Sequence, residues 1–392
     1  MLIYNREWID NIEITKQASG WMKKNLLAKD EYAAISEKYK SEYHTSNFFV
    51  RIGMFLFTLV IISSAVSLLN LIILSDLHFG FSFQCIFFAI AYYLAAEHFI
   101  KKDHYFRSGV TDALLYSSVF SMSFGIINLI SGNSYDFNLD PLIYIACVLP
   151  FLIFTSIRFR DAFLTLLAYA AIFYFNVLLV LKTGTTGKLI LPFEGMLFSF
   201  VAYKVIRNLK RKEEYHYWKN CILVLEIASL VTLYLSGNYL VVRELSIALL
   251  SADIAPGSDI PFSYFFYLYT LAVPIIYIWQ GLKQKSYVLI RGGVILEAAG
   301  ILSIRYYYSV LPIETALSLA GIIMIVIAWA CIKYLKVPRN GIAMLEDETQ
   351  DEAFETVGSI LVSQAAGKAI QTNSGSPFGG GKSGAGGAGG AF

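Results

Sequence analysis

Charge is what this sequence has least of. Asp, Glu, Lys and Arg make up 15% of the 392 residues, against roughly 25% in a soluble domain. Length alone would allow two soluble domains, but so few polar side chains cannot cover them in water. The net charge of +2 also argues against a nucleic-acid partner, which calls for a strongly basic face.

Metal and redox motifs are missing too. Cys85, Cys147, Cys221 and Cys331 lie in or beside apolar stretches, far apart in the chain. With no C-x-x-C there is neither a zinc site nor a redox pair to expect, and the cysteines read as small core residues. His44, His78, His98, His104 and His216 form no H-x-x-x-H or H-E-x-x-H pattern. No cofactor and no metal are expected. A cleavable secretory signal would place a short apolar run near the start. Residues 1–47 instead are polar, with Lys16, Lys23, Lys24, Lys29, Lys38 and Lys40. The first apolar run, after Arg51, is expected to act as the insertion signal and to stay in the protein.

Apolar length is what the chain has in abundance. Hydrophobic residues make up 56% and the mean hydropathy is +0.57. A bilayer core about 30 Å thick needs about 20 apolar residues per helix. Runs of that kind are Ile52–Leu74, Phe81–Ile100, Gly109–Ile130, Pro141–Ile157, Ala162–Leu181, Leu189–Ile206, Cys221–Leu235, Phe262–Gln280, Tyr287–Tyr307 and Ile313–Tyr334. The seventh is the shortest. The fold class predicted is all-α: a polytopic helical membrane protein with about ten transmembrane helices. The fourth and fifth runs, joined by Arg158-Phe159-Arg160-Asp161, are expected to form a tight antiparallel pair.

Orientation follows from Lys and Arg near the span ends. With the N-terminus inside, the inner segments carry the basic residues before Ile52, then Lys101, Lys102 and Arg107, then Arg158 and Arg160. They continue with the cluster from Lys204 to Lys219, with Lys283 and Lys285, and with Lys333, Lys336 and Arg339. The outer segments carry only Lys182, Lys188, Arg243 and Arg305. The expectation is that both termini are cytoplasmic. A missed or invented span would invert the alternation downstream of the error.

The predicted organisation has four parts. Residues 1–47 read as a cytoplasmic helical hairpin resting near the membrane, with Trp8, Ile12, Ile14, Ala18, Trp21 and Met22 at roughly helical spacing. Residues 48–335 form the ten-span domain. Within it the outer loop 236–261 contains an amphipathic stretch, Tyr239–Leu250, suited to a short interfacial helix. Residues 336–371 are an acidic segment with a short helix at Phe354–Ile370. Residues 372–392 are a Gly-rich tail with too little apolar surface to order itself. The Gly379-Gly380-Gly381-Lys382-Ser383 run lacks the strand and helix of a phosphate loop.

An ionisable side chain in hydrocarbon costs about 2.5–3.5 kcal/mol on insertion scales. Such residues here are Glu97, Asp112, Glu194, Glu226, Arg291, Glu297 and Glu314. Glu97 can snorkel beside Lys101, and Glu194 and Glu314 lie near outer span ends. Glu297 is the leading candidate, about ten residues and roughly 15 Å into its span. Gly293 and Gly300 share its face and would admit a neighbouring helix. Glu226 with Ser229, and Asp112 with Tyr116, come next. Arg291 lies about 240° around the helix from Glu297, so it would serve a carboxylate of another span. Either Glu297, Glu226 and Asp112 line a polar cavity that carries protons or a cation, or they fix helix packing as neutral or paired groups. Pro150, Pro192 and Pro274 read as ordinary membrane-helix prolines, and Tyr306-Tyr307-Tyr308 as part of an aromatic belt.

Tyr4-Asn5-Arg6-Glu7-Trp8, the junction Asn47-Phe48-Phe49-Val50-Arg51-Ile52-Gly53 and the tail from Phe378 to Phe392 together carry a resemblance. The plan resembles uncharacterised bacterial multi-span membrane protein families. These have a short N-terminal cytosolic helical domain and a Gly-rich C-terminal tail. The resemblance implies the bacterial inner (plasma) membrane and transfers no catalytic residue. No nucleophile–base constellation is visible, so an enzyme is not expected. Two readings remain open. One is a non-enzymatic scaffold, assembly factor or sensor whose partners are the lipid bilayer and a cytoplasmic protein, met through residues 1–47 or the tail. The other is a secondary transporter of a small solute or ion. Its ten spans would divide five and five, with the second half inverted.

Overall fold

A computed structural model describes residues 2–45, 47–71, 80–131, 140–250 and 259–307, with isolated helical positions between 315 and 333. The described residues form twelve α-helices. Eight helices, from Phe48–Leu69 through Ser263–Gln284, are long and apolar enough to cross a membrane. The chain is thus all-α and reads as a multi-pass membrane protein. The ninth apolar run forms a further helix, Tyr287–Tyr307. The tenth, apart from isolated positions, lies outside the described residues, as do the acidic segment and the Gly-rich tail.

The helices are α1 (Arg6–Lys23), α2 (Lys29–Lys38), α3 (Phe48–Leu69), α4 (Phe81–Lys101), α5 (Val110–Ile130), α6 (Pro141–Phe159) and α7 (Ala162–Leu181). Then follow α8 (Thr185–Leu209), α9 (Lys219–Gly237), α10 (Tyr239–Leu250), α11 (Ser263–Gln284) and α12 (Tyr287–Tyr307). The short seventh run is extended at its start: a 3-10 turn, Glu213–Trp218, leads into α9, and the apolar span covers Tyr215–Gly237. Pro150, Pro192 and Pro274 each lie inside an unbroken helix. Large apolar side chains face outward along the long helices. Phe49 is 72% exposed, Phe57 65% and Leu268 68%. Such a surface suits hydrocarbon and would aggregate in water.

Caps set the turns. Asp140 accepts from Leu142 N at 3.1 Å ahead of Pro141, which occupies the first helical position of α6. Lys182, one residue past α7, pairs with Asp140 and holds its carboxyl below the usual range. That tie joins the far ends of α6 and α7. At the near end only Arg160 and Asp161 separate the two helices. Arg160 turns with a left-handed backbone, φ 54°, and Asp161 caps α7 by accepting from Leu164 N at 2.8 Å.

The N-terminal hairpin shares its core with the bundle. Tyr4, Ile9 and Tyr43 pack in one cluster with Ala96, Ile100, Leu114 and Leu115. Trp8 meets the rings of Tyr43 and His104 edge-on at 5.1 and 4.7 Å. A two-residue parallel strand pair, β1 (His44–Thr45) with β2 (Tyr105–Phe106), ties the link after α2 to the α4–α5 turn. Ile3 N donates to the Arg158 carbonyl at 3.2 Å. Asp10 of α1 faces His216 Nε2 at 3.1 Å and accepts from Tyr217 OH at 3.1 Å.

A second core holds Tyr203, Leu230, Tyr234, Tyr277, Leu289 and Leu296 of α8, α9, α11 and α12. At the end opposite the hairpin, α10 lays Tyr239 and Val242 against Ile260 and Phe266. This helix covers the stretch expected to be amphipathic.

Gly109 shows how closely the hairpin end is packed. Its φ is +87°, and a Cβ there would lie 2.1 Å from the Arg51 carbonyl oxygen. Gly109→Ala is expected to destabilise by about 2 kcal/mol or more through strain and clash. Gly20→Ala, with nothing within 4 Å of the new Cβ, is expected to be neutral or stabilising by a few tenths of a kcal/mol. Thermal unfolding midpoints in detergent check both.

Candidate functional site

The four candidate residues occupy separate places. Asp112, in the first turn of α5, is buried and accepts from Arg51 Nε of α3 at 2.6 Å. One turn further, Tyr116 OH donates to Asp161 at 3.1 Å. Beside them Glu97 accepts from Tyr93 OH at 2.7 Å, from Lys101 at 2.8 Å and from Arg158 Nε at 2.7 Å. The carboxylates at the hairpin end of α3–α7 therefore form a charged layer matched with arginines. Arg51 is the fourth residue of α3, just ahead of the apolar run that begins at Ile52. It is the counter-ion of Asp112.

Glu226 of α9 has a side chain only 6% exposed and is ion-paired with Lys210, the residue that ends α8. Nothing in the spacing of the two residues announces this pair. It forms because α8 and α9 pack against each other and the long Lys210 side chain, at the end of α8, reaches Glu226 about two turns into α9.

Glu297 differs. Gly293 and Gly300 share its face, and both are in close contact with neighbours. A Cβ at Gly293 would meet Ile278 and the Pro274 carbonyl oxygen of α11 at 2.7–2.8 Å, and one at Gly300 would meet Tyr234 OH of α9 at 2.9 Å. Glu297 is thus turned toward the α9–α11–α12 contact. Its Oε2 is buried without a hydrogen-bond partner among the described residues. Arg291 lies on the exposed side of α12 with its guanidinium over the Tyr287 ring at 5.7 Å. Glu194 accepts from Asn176 through Oε1, while its Oε2 is also buried and unmatched.

A polar seam that the carboxylate search missed runs along α9. Thr232 Oγ1 lies 2.6 Å from Tyr169 OH of α7 and accepts from Ser199 Oγ of α8 at 2.9 Å. Tyr269 OH donates to the Leu233 carbonyl at 2.7 Å, and Tyr277 OH to the Leu230 carbonyl at 3.1 Å. Asn238 Nδ2 donates to Tyr234 OH at 3.0 Å and to Ser303 Oγ of α12 at 3.3 Å. One signal was available: Ser229, Thr232 and Ser236 recur every three or four residues in an otherwise apolar run, with Asn238 two residues beyond.

Among the described residues no three His, Cys, Asp or Glu side chains gather to hold a metal ion. Chemically, the site offers three ion-paired carboxylates, Asp112, Glu97 and Glu226, a seam of mutually satisfied hydroxyls, and two carboxyls, Glu194 and Glu297, each with an oxygen unmatched among the described residues. Comparison with known proteins finds no matching family model, curated protein or solved structure.

Glu226 and Lys210 should be strongly coupled but unequal. Lys210→Met strands a buried carboxylate, whereas Glu226→Gln leaves a lysine that is 26% exposed and reaches water. Lys210→Met is expected to cost more, and the double variant less than the sum by about 1 kcal/mol or more. Unfolding free energies of the four proteins in one detergent measure this.

Proposed function

We propose that the chain is a non-enzymatic scaffold, assembly or sensor component of a bacterial inner membrane, crossing it ten times with both termini in the cytoplasm. The observation that carries this reading is the core shared by the N-terminal hairpin and α4–α7. A flexible recruiting arm would need a core of its own. This hairpin has none, so whatever it binds is held rigidly against the membrane, and a shift in the bundle reaches it directly. The clamped pairs Arg51–Asp112 and Lys210–Glu226 suit a rigid support. The clustering of Lys and Arg at the hairpin end supports its cytoplasmic side. Ile14, Trp21 and Leu26 remain exposed on the hairpin, and they are the surface for a cytoplasmic protein partner.

One observation favours the second reading, a secondary transporter of a small solute or ion. Glu297 faces a helix contact with an oxygen that no group among the described residues matches, which suits a group that takes up a proton or a cation. The two separate cores, one around α4–α7 and one around α8–α12, also fit a five-plus-five division.

Removing residues 1–47 is a poor test, because it would bare Ile100, Leu114 and Leu115. Photo-crosslinkers at Trp21 and Leu26 in living cells are cleaner. The expected result is an adduct with a cytoplasmic protein, lost when Ile14 is changed to Glu, while Glu297→Gln supports normal insertion and growth. No adduct, together with a growth defect for Glu297→Gln, would turn the assignment to transport. A reporter fused after Phe392 is expected to remain cytoplasmic.

A further inference from the structure

Arg160 has no role in the ion pairs described so far. It is only 8% exposed. Its Nη2 donates to the His216 carbonyl at 3.3 Å, but its Nε and Nη1 are buried without a hydrogen-bond partner among the described residues. A guanidinium carries five donors and keeps its charge, and a buried one without acceptors is costly. The adjacent carboxylate does not answer it: Asp161 is committed to Leu164 N and Tyr116 OH. Glu13 of α1 lies within electrostatic reach yet makes no ion pair with it. The other strong charge within reach has the same sign. Arg107, in the α4–α5 turn, adds to burial in pushing the Arg160 guanidinium below its usual value. Arg107 lies over the Phe106 ring at 5.7 Å, and its Nη1 is 3.0 Å from the Asn220 amide, which accepts from it when turned with its oxygen toward the guanidinium. Tyr4, buried in the hairpin core, is within reach of both guanidinium groups. Two like charges are therefore held within reach of each other beside the buried Tyr4 of the N-terminal segment.

We propose that Arg160 and Arg107 bind a phosphate-type oxyanion at the seam between the N-terminal hairpin and the bundle. An oxyanion supplies the acceptors that Arg160 lacks and offsets the repulsion from Arg107. It also bridges three parts of the chain: the α6–α7 corner, the α4–α5 turn and the N-terminal hairpin. Arg160 lies one residue past the end of α6, where an apolar span of this length gives way to the polar boundary. The phosphate therefore belongs either to an anionic lipid or to a free anion reaching the seam from water. Binding there would tie the hairpin to the spans whatever partner the hairpin serves.

The test reads thermal unfolding of the full chain in two arms. One adds millimolar inorganic phosphate in detergent against chloride at equal ionic strength. The other compares nanodiscs of phosphatidylglycerol with nanodiscs of phosphatidylcholine. An upshift of about 2–4 °C in either arm is expected, and it should vanish in Arg160→Gln and in Arg107→Gln. Should Arg160→Gln fail to fold, the partly exposed Arg107 decides alone. A shift in the phosphate arm only identifies a free anion, and one in the lipid arm only identifies a headgroup. No shift in either arm, as expected if water alone meets Arg160, overturns the proposal. So does a shift that persists in Arg107→Gln. Neither readout involves a protein partner, so failure here leaves the scaffold reading standing, and the reverse also holds.

Discussion

Hydrocarbon offers no hydrogen bonds, and that single property of the solvent governs the molecule. Every backbone N–H and C=O inside a bilayer must be satisfied within its own helix, which is why eight long helices dominate the described residues. The same demand falls on side chains. Thr58, Ser123, Thr155, Thr165, Ser236 and Ser303 each turn a hydroxyl back onto the carbonyl four residues earlier. Others, such as Ser118 donating to the Ala89 carbonyl of α4, meet across helices and hold them together.

Charged groups obey the same demand more strictly. Arg51, Asp112, Glu97, Arg158, Lys210 and Glu226 all gather toward the end of the bundle that carries the hairpin, and they are paired there. Pairing across helices fixes which helix meets which, while long basic side chains keep their heads close to the polar boundary. The opposite end is managed by caps and turns, with Asp140 against Lys182 and Asp259 accepting from Tyr239 and Tyr267. Against this background an unmatched polar atom stands out. Glu297 and Arg160 are such cases, one within the second core and one beside the hairpin. They are where chemistry other than packing has room to act.

The hairpin adds a second constraint. Its helices are short and bury few residues of their own, so they gain order by leaning on the bundle. Tyr4, Trp8, Tyr43, His104 and Phe106 form an aromatic cluster that neither element makes alone. The parallel strand pair and the contacts of Asp10 with His216 and Tyr217 reinforce it. A mechanical link between the polar segment and the spans follows from this sharing.

Hydropathy and capping residues are local properties, so the helical class, most helix bounds, the α6–α7 turn and the α10 stretch could be read from the chain itself. The carboxylates at membrane depth were legible as well, because a charge in an apolar run marks itself. Partner choice was not legible. Arg51 finds Asp112, and Lys210 finds Glu226, only after helices distant in sequence are set side by side. Arg160 is an ordinary loop arginine until the fold buries it, with the partly exposed Arg107 within electrostatic reach. Burial is a property of the assembled bundle, and it is burial that turned Asp112 and Glu226 into clamps while leaving Glu297 and Arg160 with atoms to satisfy.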